Sequence, residues 1–136
     1  MRRFVPANHD LALLLLRLAL ATVLLYHGIP KLMSFGATVT GFQTMGMPAP
    51  SLTAAFAVLT EVFGGLLILL GIAVDLAGIL VIIEMLGAIF MVHLPNGFDF
   101  TKGGWEHPFT VLVMALVLVL SGPGRHAVGR TGVARR

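Results

Sequence analysis

Four apolar stretches, joined by short polar or glycine-rich segments, make up most of the chain. They run over 11–33, 52–72, 76–94 and 108–120, and the last extends back through Glu106 to give 106–121. A helix crossing a bilayer needs about 20 residues at about 1.5 Å of rise each, so the first three are long enough. The fourth is marginal, and either thins the bilayer locally or starts within the interface. Only 73–75 separate spans two and three, which forces an antiparallel hairpin. The pattern predicts an all-α fold, a four-transmembrane-helix antiparallel bundle forming a single membrane domain over 1–136, with a flexible polar tail over 122–136. The uncharged segment 34–51 mixes Phe35, Val39, Phe42, Met45 and Met47 with glycine and threonine. It is either a plain connecting loop or a short helix on the membrane surface, ended by Pro48 and Pro50.

Composition fixes the solvent. Of 136 residues, 57% are hydrophobic and 11% charged, and the mean hydropathy is +0.97, so the chain is far too apolar for an ordinary soluble domain. Its basic residues gather at the two ends: Arg2 and Arg3, then Arg125, Arg130, Arg135 and Arg136. These are topology charges rather than a phosphate-binding face, so the partner is the lipid bilayer and not nucleic acid. With an even number of spans the rule that positive charge stays inside places both termini in the cytoplasm of a multi-pass inner (plasma) membrane protein. Trp105, with Phe98 and Phe100, suits the opposite interface. The start resembles a signal peptide, but Arg17 interrupts the apolar run and no small-residue cleavage site follows Tyr26, so no cleavage is expected. Without cysteine the chain forms no disulfide, thiolate metal site or CxxC redox pair of its own.

Against this background the polar residues inside the spans carry the information: Arg17, His27 and Lys31 in span one, Glu61 in span two, Glu84 and His93 in span three. A charge at mid-bilayer costs about 2.5–3.5 kcal/mol, and such residues usually face the bundle interior and mark a binding or proton site. At 100° per residue Arg17, Ala21, Leu24, Gly28 and Lys31 share a stripe roughly 80° wide, with the two cations about 21 Å apart along the axis. Helical side chains lean toward their own N-terminus, so Lys31 and Glu61 on antiparallel spans lean toward each other, while Glu84 leans toward the half that holds Arg17. Two interior pairs are therefore expected, Lys31 with Glu61 and Arg17 with Glu84. The plainer alternatives are ion pairs that only fix helix register, and an Arg17 that snorkels to the surface. A carboxylic acid in apolar surroundings can also keep its proton and donate a hydrogen bond to a ligand carbonyl.

His27, His93, Glu106 and His107 map to the outer end of the bundle, where imidazole and carboxylate form a usable acid–base unit. Candidate ligand-binding residues are Arg17, His27, Lys31, Glu61, Glu84 and His93, and candidate proton relays are Glu61, Glu84, Glu106 and His107. No metal site is expected, and haem is disfavoured because nothing sets two histidines at opposed positions. The glycines Gly28, Gly64, Gly65, Gly71, Gly78 and Gly87 are read as places of close helix approach.

Four motifs in order then carry a family resemblance: His27-Gly28-Ile29-Pro30-Lys31-Leu32, Glu61-Val62-Phe63-Gly64-Gly65, Gly103-Gly104-Trp105-Glu106, and Ser121-Gly122-Pro123-Gly124-Arg125. From about Leu11 to Arg125 the chain resembles the DoxX family of small bacterial membrane proteins. One member gives its name through association with an archaeal terminal quinol oxidase, and a related family supplies the membrane subunit of a thiosulfate:quinone oxidoreductase. The resemblance implies a quinone-associated accessory subunit of a membrane redox or sulfur/thiol oxidation system, non-catalytic by itself and served by a soluble or membrane redox partner protein. It carries over His27, Gly28, Lys31, Glu61, Gly64, Gly65, Glu106 and the segment Gly122 to Arg125. The sequence departs from the family after Arg125, where His126-Ala127-Val128 stands in place of the common Ser-Leu-Asp. The competing class is a small-solute or ion carrier, or a membrane chaperone, using the same buried charges, with a homo-oligomer needed to complete a pathway.

Overall fold

The computed structural model describes residues 4–128, and over them the protein is helical without a strand. Five helices follow one another: α1 (His9–Met33), α2 (Phe35–Thr44), α3 (Pro50–Leu70), α4 (Val74–Asn96) and α5 (Glu106–Ser121). Of these, α1, α3 and α4 are long and apolar enough to cross a membrane. Helix α5 has 16 residues, about 24 Å of rise, which is short of the roughly 30 Å hydrocarbon core. The segment after α1, open between loop and helix on sequence grounds, is helical over 35–44.

The register follows from a few close approaches. Gly28 lies against Glu61, Gly65 against Leu24 and Leu25, and Gly71 against Arg17, so α1 and α3 run antiparallel. Likewise Gly78 meets Val119 across α4 and α5, while His27 lies beside His107 and Gly124 lies over Leu13 across α1 and α5. The four long helices thus form an up-down-up-down bundle in the cyclic order α1, α3, α4, α5. Helix α2 packs across the end of α1 and α3. We call the end carrying α2 and residues 97–105 the loop end, and the end carrying the 71–73 turn and residues 122–128 the tail end.

A dry plug fills the tail-end half. Leu20, Ala21, Ile68, Ala77, Val81, Ala115 and Leu118 have no solvent exposure. Two of the glycines expected at helix contacts, Gly64 and Gly87, instead have open space where a side chain would project. Gly71 closes α3 at φ +77° with the bond pattern of a Schellman cap, its own N–H donating to Leu67 O and Ile68 O and that of Ile72 to Leu67 O.

The tail end holds two corrections. Arg17 is 2% exposed and neither snorkels nor meets Glu84. Its Nε donates to Ile68 O at 2.9 Å, Nη2 to Leu69 O at 2.7 Å, and Nη1 to Pro123 O at 3.0 Å and His126 O at 2.7 Å. The guanidinium therefore caps the negative end of α3, whose last carbonyls lack helical partners, and ties the returning chain to it. The segment Gly122 to Arg125 makes that return, with Gly122 and Gly124 at positive φ. Val128 N–H donates to Leu70 O at 2.8 Å, and Arg125 N–H donates to Asp10 Oδ1 at 2.8 Å. Residues 122–128, expected as the start of a flexible tail, are instead fastened to the bundle. The rest of that tail, 129–136, lies outside the described residues.

Candidate functional site

Toward the loop end the four helices separate around a cavity of about 640 Å³. Its polar wall gathers six of the sequence candidates: His27, Lys31, Glu61, Glu84, His93 and His107. Apart from Thr53 the remainder is apolar, with Leu24, Phe56, Met85 and Val111 on the long helices, and Phe42, Met45 and Met47 arriving from α2 and the residues after it. Arg17 and Glu106 are not part of it.

The expected Lys31–Glu61 pair is present, with Nζ 2.6 Å from both carboxylate oxygens. Glu61 is 4% exposed, and the Lys31 side chain 28%. Gly28 makes this pairing possible: a methyl at position 28 would stand 2.6 Å from Glu61 Cβ and 3.0 Å from its carbonyl carbon. Because both atoms are fixed to the α3 backbone, the helices would have to part. Gly28→Ala is expected to destabilise the protein by about 1–3 kcal/mol. Chemical unfolding in detergent checks this, and an unchanged midpoint would mean that the approach is not tight.

Glu61 sits in a π-helical turn, Leu59–Gly64, and His93 ends a second, Ile89–His93. Such turns insert an extra residue into a helix and recur at functional sites. Nothing in residue type announces them, and they are the part of the site that the sequence did not reveal.

Glu84 comes to the cavity rather than to Arg17, and its charged neighbours are Glu61 and Lys31. Hairpin symmetry about the 71–73 turn sets Glu84 level with Glu61, and the α1–α3 register sets both level with Gly28. Arg17 is eleven residues further along α1, about 16 Å away, which explains why the second pair fails. Glu84 Oε2 is buried and has no hydrogen-bond partner, as is Thr60 Oγ1.

His93 Nδ1 lies 2.7 Å from Gly103 O. Since a carbonyl only accepts, Nδ1 carries the hydrogen and Nε2 is the free nitrogen. The rings of His27 and His107 lie 5.1 Å apart. Among the described residues no group of three or more His, Asp or Glu side chains is placed to hold a metal ion.

Glu106 is a correction. A candidate proton relay on sequence grounds, it stands outside the cavity: its Oε2 accepts from Phe100 N–H at 3.1 Å and so braces the loop 97–105. The same loop carries Trp105 N–H to Gly97 O at 3.0 Å, Glu106 N–H to Phe98 O at 3.0 Å, and an edge-on Phe98–Trp105 pair at 4.7 Å. The Thr101 hydroxyl and amide both donate to Asp99, holding its carboxyl below the usual carboxylate range. The glycine pair of this motif has a steric origin, because Gly104 has no room for a side chain against the backbone of Gly97, Phe98 and Asp99.

Comparison with known proteins gives concordant matches. A family model described as DoxX matches residues 12–94. Relatives include the uncharacterized membrane protein Rv3486 of Mycobacterium tuberculosis, 30% identical over 94% of this chain and 85% of the relative. The inner membrane protein YphA of Escherichia coli is 30% identical over 91% of this chain and 92% of its own length. The Bacillus subtilis protein CatD, named provisionally as an oxidoreductase, is 29% identical over 85% and 82%. No solved structure matches significantly.

Proposed function

The chain belongs to the DoxX family, and from that premise we propose that it is a quinone-associated membrane subunit, binding the carrier's ring in the loop-end cavity and handling its protons. One observation carries the reading: an apolar cavity large enough for a ring, whose polar wall ends in a buried carboxyl oxygen without a partner, Glu84 Oε2. In this reading the protein crosses the inner membrane four times with both termini cytoplasmic, which makes the loop end the periplasmic one. The provisional naming of CatD as an oxidoreductase agrees in class.

The residues suit both redox forms of such a ring. Lys31 uses two of its three protons on Glu61, leaving one donor for a ring carbonyl. His93 Nε2 and Glu84 offer acceptors to the hydroxyls of the reduced form. When bound, a quinone supplies a two-electron, two-proton couple. Glu84 Oε2 would take up a proton from the reduced ring or return one to the oxidised ring, and the histidines at the loop end would exchange it with water. Electrons come from a partner protein, since this chain has no cysteine-based redox centre.

The protein purified in mild detergent is expected to carry a lipophilic quinone, detected by mass spectrometry. Glu84→Leu, which removes the hydrogen-bonding group, is expected to lower its retention about tenfold, the equivalent of about 1.4 kcal/mol, as for one lost hydrogen bond to a charged or strongly polar group. Absence of any quinone, together with solute flux in liposomes that Glu61→Gln abolishes, would replace this reading with that of a carrier.

A further inference from the structure

The cavity is bounded on three sides by packed helices and on the fourth by a seam. Helices α3 and α4 pack against each other near their shared turn and at the π-turn 59–64, whereas the first half of α3 packs on α1 and α2. Beyond the π-turn the two helices diverge, and α4 carries its own π-turn, Ile89–His93, on the diverging part. Ile83 and Met91 are 53% and 55% exposed, yet both line the cavity. A residue that faces the interior and the exterior together stands on a rim. Gly87, one turn from each, lines the cavity too, and nothing lies within 4 Å of where its side chain would project. Thr53 and Phe56 form the facing edge. Ile83 is thirteen residues from the end of α4, about 20 Å down the helix. In a helix that spans the bilayer, an opening at that depth faces acyl chains, not water.

We infer that the cavity has a side entrance from the lipid between α3 and α4, framed by Thr53, Phe56, Ile83, Gly87 and Met91, and that its ligand is an amphiphile whose apolar tail leaves by that gap. The inference rests on the proposed site and names its ligand class. The polar groups Lys31 and Glu61 belong to α1 and α3, while the rim is apolar except for Thr53, so a bound molecule is oriented head inward and tail outward. A cavity of about 640 Å³ holds a ring and the first few carbons of a chain, and a longer tail has to continue into the bilayer.

Gly87 gives a direct test, because no protein atom lies within 4 Å of where its Cβ would stand. Binding of two benzoquinones, one with a ten-carbon tail and one without a tail, is measured on the protein in lipid nanodiscs. Gly87→Phe is expected to weaken the tailed probe at least tenfold and to leave the tail-less probe within twofold. Ile79→Phe, on the same helix but off the rim, is expected to change neither. Equal loss of both probes, or loss of neither, overturns the inference. A second measurement is independent of quinone. The chain has no native cysteine, so Gly87→Cys can carry a single fluorophore, which phospholipids brominated on their acyl chains are expected to quench. No quenching overturns the entrance. Quenching without binding of either probe by the native protein upholds the entrance and removes only the quinone reading.

Discussion

Arg17→Ala is expected to unfold at clearly lower denaturant than the native protein, with a loss of about 3–5 kcal/mol. Each hydrogen bond from a charged donor is worth about 1.5–3 kcal/mol, and a buried acceptor left alone costs about 1–3 kcal/mol. Arg17 serves four carbonyls at once. Pro123 O and His126 O can turn to water when it is gone, and Ile68 O keeps the amide of Gly71, which holds the loss below the simple sum. The tail should come loose as well, because the same guanidinium joins it to α3. Trypsin is therefore expected to cut after Arg125 at least tenfold faster in the variant. Arg17→Lys should recover less than half of the stability, since an ammonium cannot reach four acceptors on two separate segments as the planar fork does. A variant with native stability and native cleavage would show that the clamp is idle.

Breaking the Lys31–Glu61 pair from one side should cost nearly as much. Lys31→Met or Glu61→Gln leaves a buried group without its partner, a change worth about 3 kcal/mol given the partial exposure of the lysine. Removing both in K31M/E61L should return most of that loss, because apolar replacement of a buried pair is close to neutral. Ligand retention separates the two roles of the pair: stability should recover in the double variant while retention stays low. If retention recovered too, the pair would be only a register lock between α1 and α3.

How much of this was legible beforehand depends on what acts as partner. The helix positions followed from the apolar runs, and Lys31 with Glu61 followed from the lean of side chains on antiparallel helices. Both rest on side-chain chemistry that a sequence spells out. Arg17 was matched with Glu84 because an arginine was expected to seek an anion, whereas its real acceptors are backbone carbonyls at a helix end, which any residue type supplies. Counting outward from the 71–73 turn would have placed Glu84 level with Glu61 and excluded Arg17. Glu106 misled for a related reason: its partner is the amide of Phe100. The two π-turns carry no compositional mark, so the seam between α3 and α4 was out of reach.

The dry plug has an electrical consequence. Among the described residues no titratable group lies inside the bundle between Glu84 and Arg17, and Arg17 is occupied by carbonyls. If Glu84 handles protons as proposed, a proton reaching it enters and leaves by the loop end and crosses only part of the transmembrane potential. A full crossing is worth about 2.3 kcal/mol per charge at 100 mV, so proton uptake at this site should respond weakly to voltage and strongly to the pH of one compartment. On the proposed reading, the site answers to the acidity of one side of the membrane and is insulated from the other.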